Sequence, residues 1–316
     1  MKQFEEINKG FANIFERGKL SLGIVVPIEN YTVGSLPTML EHLQRVKLAE
    51  EFGFKAIWLR DVPLYVPSFG DAGQAYDPFT YLGYLAGQTE KITLGIASVV
   101  LPLHHPMHVA KSAATIDQLS GGRLVLGIAS GDRPSEYPAM GINFADRDRL
   151  FRETFSYIRA AQNDFPSLES SHYGTLNGQS DILPKPVNTK LPLLVTGHSR
   201  QSIDWIAENS DGWMYYPRNL YMAQNYISEF RNAIPDMTLY DKPFMQSLYV
   251  DLHEDDDYKP EPIHLGLRLG ANHLVSYLKE LQTIGVNHVV INLRFNTARI
   301  EETLEHFSIK ILSQFH

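Results

Sequence analysis

The sequence predicts an α/β fold of the (β/α)8 TIM barrel class, and three observations predict it. Strand-like and helix-like segments alternate from about residue 21 to the C-terminus. The strand-like segments are continuous apolar runs, the pattern of strands covered on both faces in a parallel sheet. Eight βα units can be counted, the number that closes such a barrel. A doubly wound open sheet is the rival, but the rhythm continues without a second-domain break.

The elements follow in order. "SLGIVVPI" (21–28) reads as a buried strand, and 37–53 follows with helical period and a glycine stop. Strand 54–61 and helix 77–90 come next, then strand 92–100 and helix 106–122 with a glycine cap. Strand 123–131 precedes helix 147–162. A polar, turn-rich insertion around 163–190 interrupts the rhythm. Strand 191–197 and helix 199–210 resume it, followed by strand 212–217 and a helix to about 233. Strand 244–252 leads into a charged segment, expected as a mobile loop around 251–270. Helix 272–284, strand 287–293 and helix 298–315 complete a single domain over 1–316.

Composition narrows the function. The chain has 316 residues, 44% of them hydrophobic, enough for a sizeable core. Its net charge of −8 and lack of a Lys/Arg cluster argue against nucleic acid. There is no cysteine, which excludes disulfides, thiolate catalysis and Cys-based metal sites. The N-terminal "MKQFEEINKGFANIFERGKL" carries acidic residues where a signal peptide has an apolar core. No apolar run approaches the ~20 residues of a membrane span. A cytoplasmic protein without membrane contact is expected.

Chemistry in such a barrel sits at the C-terminal strand ends. No lysine occupies one, which counts against Schiff-base chemistry. The histidines are scattered and no His-x-His pair ends the first strand, so no metal site is expected. Neither G-x-G-x-x-G nor a P-loop is present. "VTGHSRQS" (195–202) places Ser199 and Ser202 at the start of a helix, where free N–H groups attract a phosphate. An ordinary N-cap explains the same residues. "ASGD" (129–132) leaves room for a flat ligand, though glycine turns also occur without one. His104 and His105 either orient the helix at Pro106 or face a ligand. Arg60 and Asp61 read equally as a rim ion pair, "EDDD" (254–257) as a solvated loop, and Trp58, Trp205 and Trp213 as core.

These motifs converge. "AEEFGFKAIWLRD", "ITLGIASVVLPLHHP", "DQLSGGRLVLGIASGD" and "PLLVTGHSRQSIDWIAENSDGW", in this order, resemble the bacterial luciferase-like flavin monooxygenases. The resemblance runs from about residue 21 to 315. It implies a TIM barrel with insertions that binds FMN, or alternatively the deazaflavin F420, at the C-terminal mouth. It implies a phosphate near Gly197, His198, Ser199 and Ser202, and places Ser130 and Gly131 beside the cofactor. It puts Ala97 and Ser98 under the ring, joined by a cis peptide, and so accounts for two small residues ending an apolar strand. Bacterial luciferase has an arginine before that glycine; here it is Ser130, with Arg133 or Arg200 as replacements. Luciferase also follows its second strand with Glu-His-His. Here the run is "RDVPLY", with Val62 and Pro63, so the resemblance does not extend to light emission from a long-chain aldehyde.

The implied activity is oxidation of a small organic substrate by reduced FMN and O2. No second nucleotide motif is visible, so a separate flavin reductase is expected. Candidate acid–base groups are His105, His198 and Arg60. An F420-dependent oxidoreductase and a non-catalytic flavin-binding protein are the alternatives. Helices 77–90 and 106–120 are apolar or small around much of their circumference, and a homodimer is expected through them.

Overall fold

The structure, a computed structural model, describes residues 2–31, 36–70, 73–235 and 237–315. Helix α1 (Lys9–Ile14) precedes the barrel. β1 (Ser21–Val25) leads to α2 (His42–Phe52), β2 (Ala56–Leu59) to α3 (Pro78–Ala86), and β3 (Thr93–Val100) to α4 (Pro106–Ser120). β4 (Leu124–Ala129) runs through short α5 (Glu136–Ala139) to α6 (Arg147–Ala161), and a hairpin of β5 (Ser167–Ser170) and β6 (Gly174–Asn177) follows. β7 (Leu193–Thr196) leads to α7 (Ile203–Asn209), and β8 (Gly212–Tyr215) to α8 (Leu220–Asn232). β9 (Phe244–Leu252) passes through a second hairpin, β10 (Glu261–Ile263) and β11 (Gly266–Leu269), to α9 (Ala271–Ile284). β12 (His288–Asn292) and α10 (Ile300–His306) end the series.

Eight strands form the barrel in the order β9-β12-β1-β2-β3-β4-β7-β8, and β8 pairs with β9 to close it. Each of these pairings is parallel. The expected barrel is therefore the observed one. Local chemistry sets the helix ends. Asp77 accepts from the Thr80 N–H at 2.8 Å ahead of Pro78, and so starts α3. Gly121, at φ +67, ends α4 and turns its N–H back to the carbonyls of Asp117 and Gln118.

Two segments expected as loops carry strands. The insertion after α6 contains the β5–β6 hairpin, and the charged stretch after β9 contains β10 and β11. β8 pairs with β9 only at Phe244–Gln246, and β11 takes up β9 from Tyr249 to Leu252. The β10–β11 hairpin thus fills the gap left as β8 diverges, and its tip stands at the barrel mouth. The helix after β7 begins at Ile203, not Ser199. Ser199 (φ +45) and Arg200 (φ +63) are left-handed, a conformation that no helix continues.

The outer core fills the space between strands and helices, and a second layer lies inside the barrel. Inside, Trp58, Val125, Met214, Met245 and Val290 pack on Phe11, Ile14 and Phe15 from α1 and its end, which close the floor. Gly95 is required there, because a Cβ would stand 2.3 Å from the Trp58 ring. His288 lies in this floor, fully buried. Its Nε2 accepts from Trp58 Nε1 at 3.0 Å, so Nδ1 carries the proton and donates to Ser21 Oγ at 2.7 Å. Ser21 in turn donates to the Ile14 carbonyl at 2.6 Å. Of the three tryptophans, Trp58 and Trp213 are wholly buried, and Trp205 is half-buried against Phe151 and Phe155.

Candidate active site

A cavity of about 1060 Å³ opens at the C-terminal ends of the strands. Its lining includes Arg60, Ala97, Ser98, Ser130, Gly131, Gly197, His198 and Ser199, all singled out from the sequence. His105 and Ser202 are not part of the lining.

The β3 end is built from small groups. The Ala97–Ser98 bond is cis. Thr196 Oγ1 donates to Met214 Sδ at 3.3 Å, which leaves Ser98 Oγ to donate to Thr196 Oγ1. On β4, Tyr137 Oη donates to the Ser130 carbonyl. Gly131 has φ +74, and a Cβ there would lie 2.6 Å from Val100 and 2.8 Å from Tyr137 Oη. On β7, Ser199 Oγ donates to the Thr196 carbonyl at 2.8 Å and accepts from Ser130 N at 3.3 Å. This hydroxyl joins the ends of β4 and β7. Ser202, rather than Ser199, caps α7, accepting from Trp205 N at 3.2 Å.

Gln201, buried, braces that turn. Its amide nitrogen donates to the Ser199 carbonyl at 3.0 Å, and its oxygen accepts from Arg152 Nε. His198 is exposed on the rim, its ring 5.7 Å from both Trp213 and Tyr215. Arg60 is held through its backbone, whose N–H donates to Gln74 Oε1 at 2.7 Å.

Of the two adjacent histidines, the inward one is His104, not His105. His105 is exposed and sits at the N-cap of α4, accepting weakly from Met107 N at 3.3 Å. Burial, then the neighbouring His108 and His172, hold its pKa below the ordinary value. His104 Nε2 instead meets Asp61 Oδ2, a cavity residue, at 2.7 Å. Burial pulls His104 down, but the bond to Asp61 and its charge outweigh this and raise the pKa above the usual value. One signal could have separated them: Pro106 occupies the first helical position, and the residue before it is the cap.

Of the two arginines considered as phosphate partners, Arg133 reaches the cavity. It is buried, stands 4.1 Å over the Phe69 ring and lies 3.9 Å from Glu136. Arg200 is exposed and does not line the cavity. Burial raises the Glu136 carboxyl, with Arg133 opposing. Sequence reasoning missed the hairpin tip, which contributes Ile263, His264 and Leu265 to the cavity. Among the described residues no cluster of acidic and histidine side chains suits a metal, and no helix is long and apolar enough to cross a membrane.

A family model described as luciferase-like monooxygenase matches residues 20–258. The chain belongs to the luciferase-like monooxygenase family. Its relatives include the alkanal monooxygenase beta chain of Photorhabdus luminescens, 38% identical over 93 residues, 29% of each chain. Among solved structures, an F420-dependent secondary alcohol dehydrogenase in complex with an F420–acetone adduct superposes with TM-score 0.76 at 17% identity, over 94% of this chain and 100% of that one. The oxygenating constituent of 3,6-diketocamphane monooxygenase from Pseudomonas putida, in complex with FMN, gives 0.70 at 15% identity, over 94% and 99%. At these identities the two structures speak for the fold that this chain shares with them.

Proposed function

We propose that this chain is a flavin-dependent monooxygenase that uses reduced FMN and O2 to oxidise a small organic substrate. The observation that carries this reading is the wall of small residues along one side of the cavity: Ala97, Ser98, Ser130, Gly131 and Gly197. Such a wall lets a flat ring lie close against backbone. The cavity, about 1060 Å³, stands at the upper end of small-molecule pockets, a size that suits a large cofactor. The left-handed turn at Gly197, Ser199 and Arg200 is backbone of the kind that gathers N–H groups around an anion, which suits a flavin phosphate.

Reduced flavin, when bound, supplies the electrons for oxygen chemistry. The chain's own residues have the remaining tasks. Ser98, Ser130 and Gly131 shape the floor for the ring, and the turn at 197–202 holds the phosphate. Arg60 and His198 border the cavity and can hold a proton or a developing charge near the substrate. His105, outside the lining, has no such part. A separate reductase delivers the flavin in the cytoplasm. Two chains pair through α3 and α4, where Tyr84 and Leu119 are 48% and 65% exposed.

The test is direct. FMN binding is followed by quenching of flavin fluorescence, with F420 as the competing ligand. Oxygen uptake is then measured with NADH and an added flavin reductase across a panel of organic substrates. FMN binding with substrate-dependent oxygen uptake supports the proposal. Binding of F420 but not FMN replaces it with F420-linked hydride transfer. FMN binding without turnover of any panel member points to a flavin carrier.

A further inference from the structure

The lining of the cavity is segregated. The β3, β4 and β7 side carries the small residues with His198 and Arg133 at its edge, and the side formed by β9, β12 and the β10–β11 tip carries rings alongside the polar Gln246, Asn292 and Arg294. Tyr249 and Phe295 lie 5.2 Å apart with planes tilted by only 32°. His264 stands edge-on to both, 6.0 Å from each. These three rings make a corner rather than a tube. The rim continues the apolar character: Phe69 is 44% exposed, Tyr216 45% and Leu265 39%. Large exposed apolar groups gathered at the mouth of one cavity mark a binding surface, whereas single ones scattered over a protein do not.

We infer that this aromatic corner is the substrate subsite and that it takes a flat, ring-bearing apolar compound in preference to a linear alkyl chain. The inference rests on the proposal that the small-residue wall is the cofactor side. A planar ring gains both burial and a facing π surface against Tyr249 and Phe295, while an alkyl chain gains burial alone. The Tyr249 and Phe295 planes meet at 32°, and the Arg294 guanidinium stands 5.3 Å over Phe295, so a further ring finds two aromatic surfaces with a cation beside them.

The experiment uses the full chain, with and without FMN, and two ketones of equal carbon count: 2-acetylnaphthalene and 2-dodecanone. Binding is measured by titration calorimetry. Dodecanone is the more hydrophobic of the two, so a preference driven by hydrophobicity alone runs its way. The expected result is binding of acetylnaphthalene about tenfold tighter, with the preference lost in Phe295→Leu and Tyr249→Leu and kept in Phe295→Tyr. The leucine variants keep apolar bulk, and circular dichroism confirms that they fold. Equal or reversed affinity overturns the inference, as does a ring preference that survives both leucine variants. FMN binding is scored separately. Failure of FMN to bind strikes the monooxygenase reading, and the ketone comparison still decides what the corner recognises.

Discussion

Oδ2 of Asp61 lies 2.7 Å from Nε2 of His104 and 2.9 Å from the backbone nitrogen of Val100. One carboxylate oxygen thereby joins the end of β2 to the end of β3 at the cavity wall. Asp61 holds the His104 proton more tightly in the folded chain than in the unfolded one, where the value is 6.5. The stabilisation is therefore complete below pH 6.5 and is lost as pH rises through the higher folded value. In Asp61→Asn the charge is gone while burial remains, and His104 should titrate below 6.5. Histidine ring resonances followed by NMR across the pH range check this. A His104 midpoint that stays elevated in the variant removes Asp61 as its cause.

The two serines of the 197–202 turn should behave differently. Ser199 spends its proton on the Thr196 carbonyl and accepts from Ser130, so its hydroxyl is structural. Ser202 accepts from Trp205 N, and among the described residues no acceptor takes its proton. Ser199→Ala is expected to cost about 1 kcal/mol of stability and to weaken FMN and riboflavin alike. Ser202→Ala loses a helix cap, about 1 kcal/mol. Ser202 stands at the start of α7 beside the cavity lining rather than in it, so a phosphate that reaches past Ser199 to this turn would make Ser202→Ala weaken FMN more than riboflavin, only FMN having a phosphate to receive the hydroxyl. Parallel titrations of the two flavins decide; equal losses in Ser202→Ala would show that the phosphate lies elsewhere.

The continuous apolar runs made the barrel legible, because a strand buried on both faces has no freedom to be polar. The strand-end residues were legible for the same reason, since the fold itself says where each strand stops. Side-chain direction was not. His104 and His105 are adjacent in sequence, and only the meeting of β2 with β3 turns one toward Asp61 and leaves the other on a helix cap. The hairpin at 261–269 was hidden by the charged stretch that leads into it. "HEDDDYKPEP" reads as solvated loop, yet β10 begins in its last two residues, and the hairpin forms because β9 outruns β8 and leaves an unpaired edge. The start of α7 moved by four residues because Ser199 and Arg200 are left-handed, and neither residue type announces that.

Gly131 and Gly174 separate two costs of replacing glycine. Both are left-handed, at φ +74 and +83. A Cβ on Gly174 meets nothing within 4 Å, whereas one on Gly131 meets Val100 and Tyr137 Oη at 2.6 and 2.8 Å. Gly174→Ala should cost about 1 kcal/mol, the conformational penalty alone. Gly131→Ala should cost more, because Tyr137 must shift and its bond to the Ser130 carbonyl is disturbed. Its flavin affinity should fall as well, while Gly174→Ala leaves affinity unchanged. Thermal melts and flavin titrations of both variants test this, and equal melting losses would mean that Tyr137 and Val100 yield freely.

His288 makes the barrel floor sensitive to acid. It is wholly buried, and burial holds its pKa at about 3 against 6.5 when unfolded. The folded ring is neutral, accepting from Trp58 at Nε2 and donating to Ser21 at Nδ1. The unfolded chain therefore binds the extra proton first. The stabilisation is complete above pH 6.5 and declines as pH falls toward 3, by about 1.4 kcal/mol per pH unit. In His288→Leu the titrating group is absent, but the Trp58 N–H loses its acceptor inside the barrel, which costs about 1–3 kcal/mol at neutral pH. Wild type should thus be the more stable protein near neutrality, and its advantage should shrink steadily on acidification. Urea denaturation of both proteins at a series of pH values measures the difference, and subtracting one from the other cancels the titrations they share. A difference that stays flat between about pH 6.5 and 4 would mean that His288 accepts a proton within the folded floor, which requires the Trp58 N–H, a donor only, to give up its bond to Nε2.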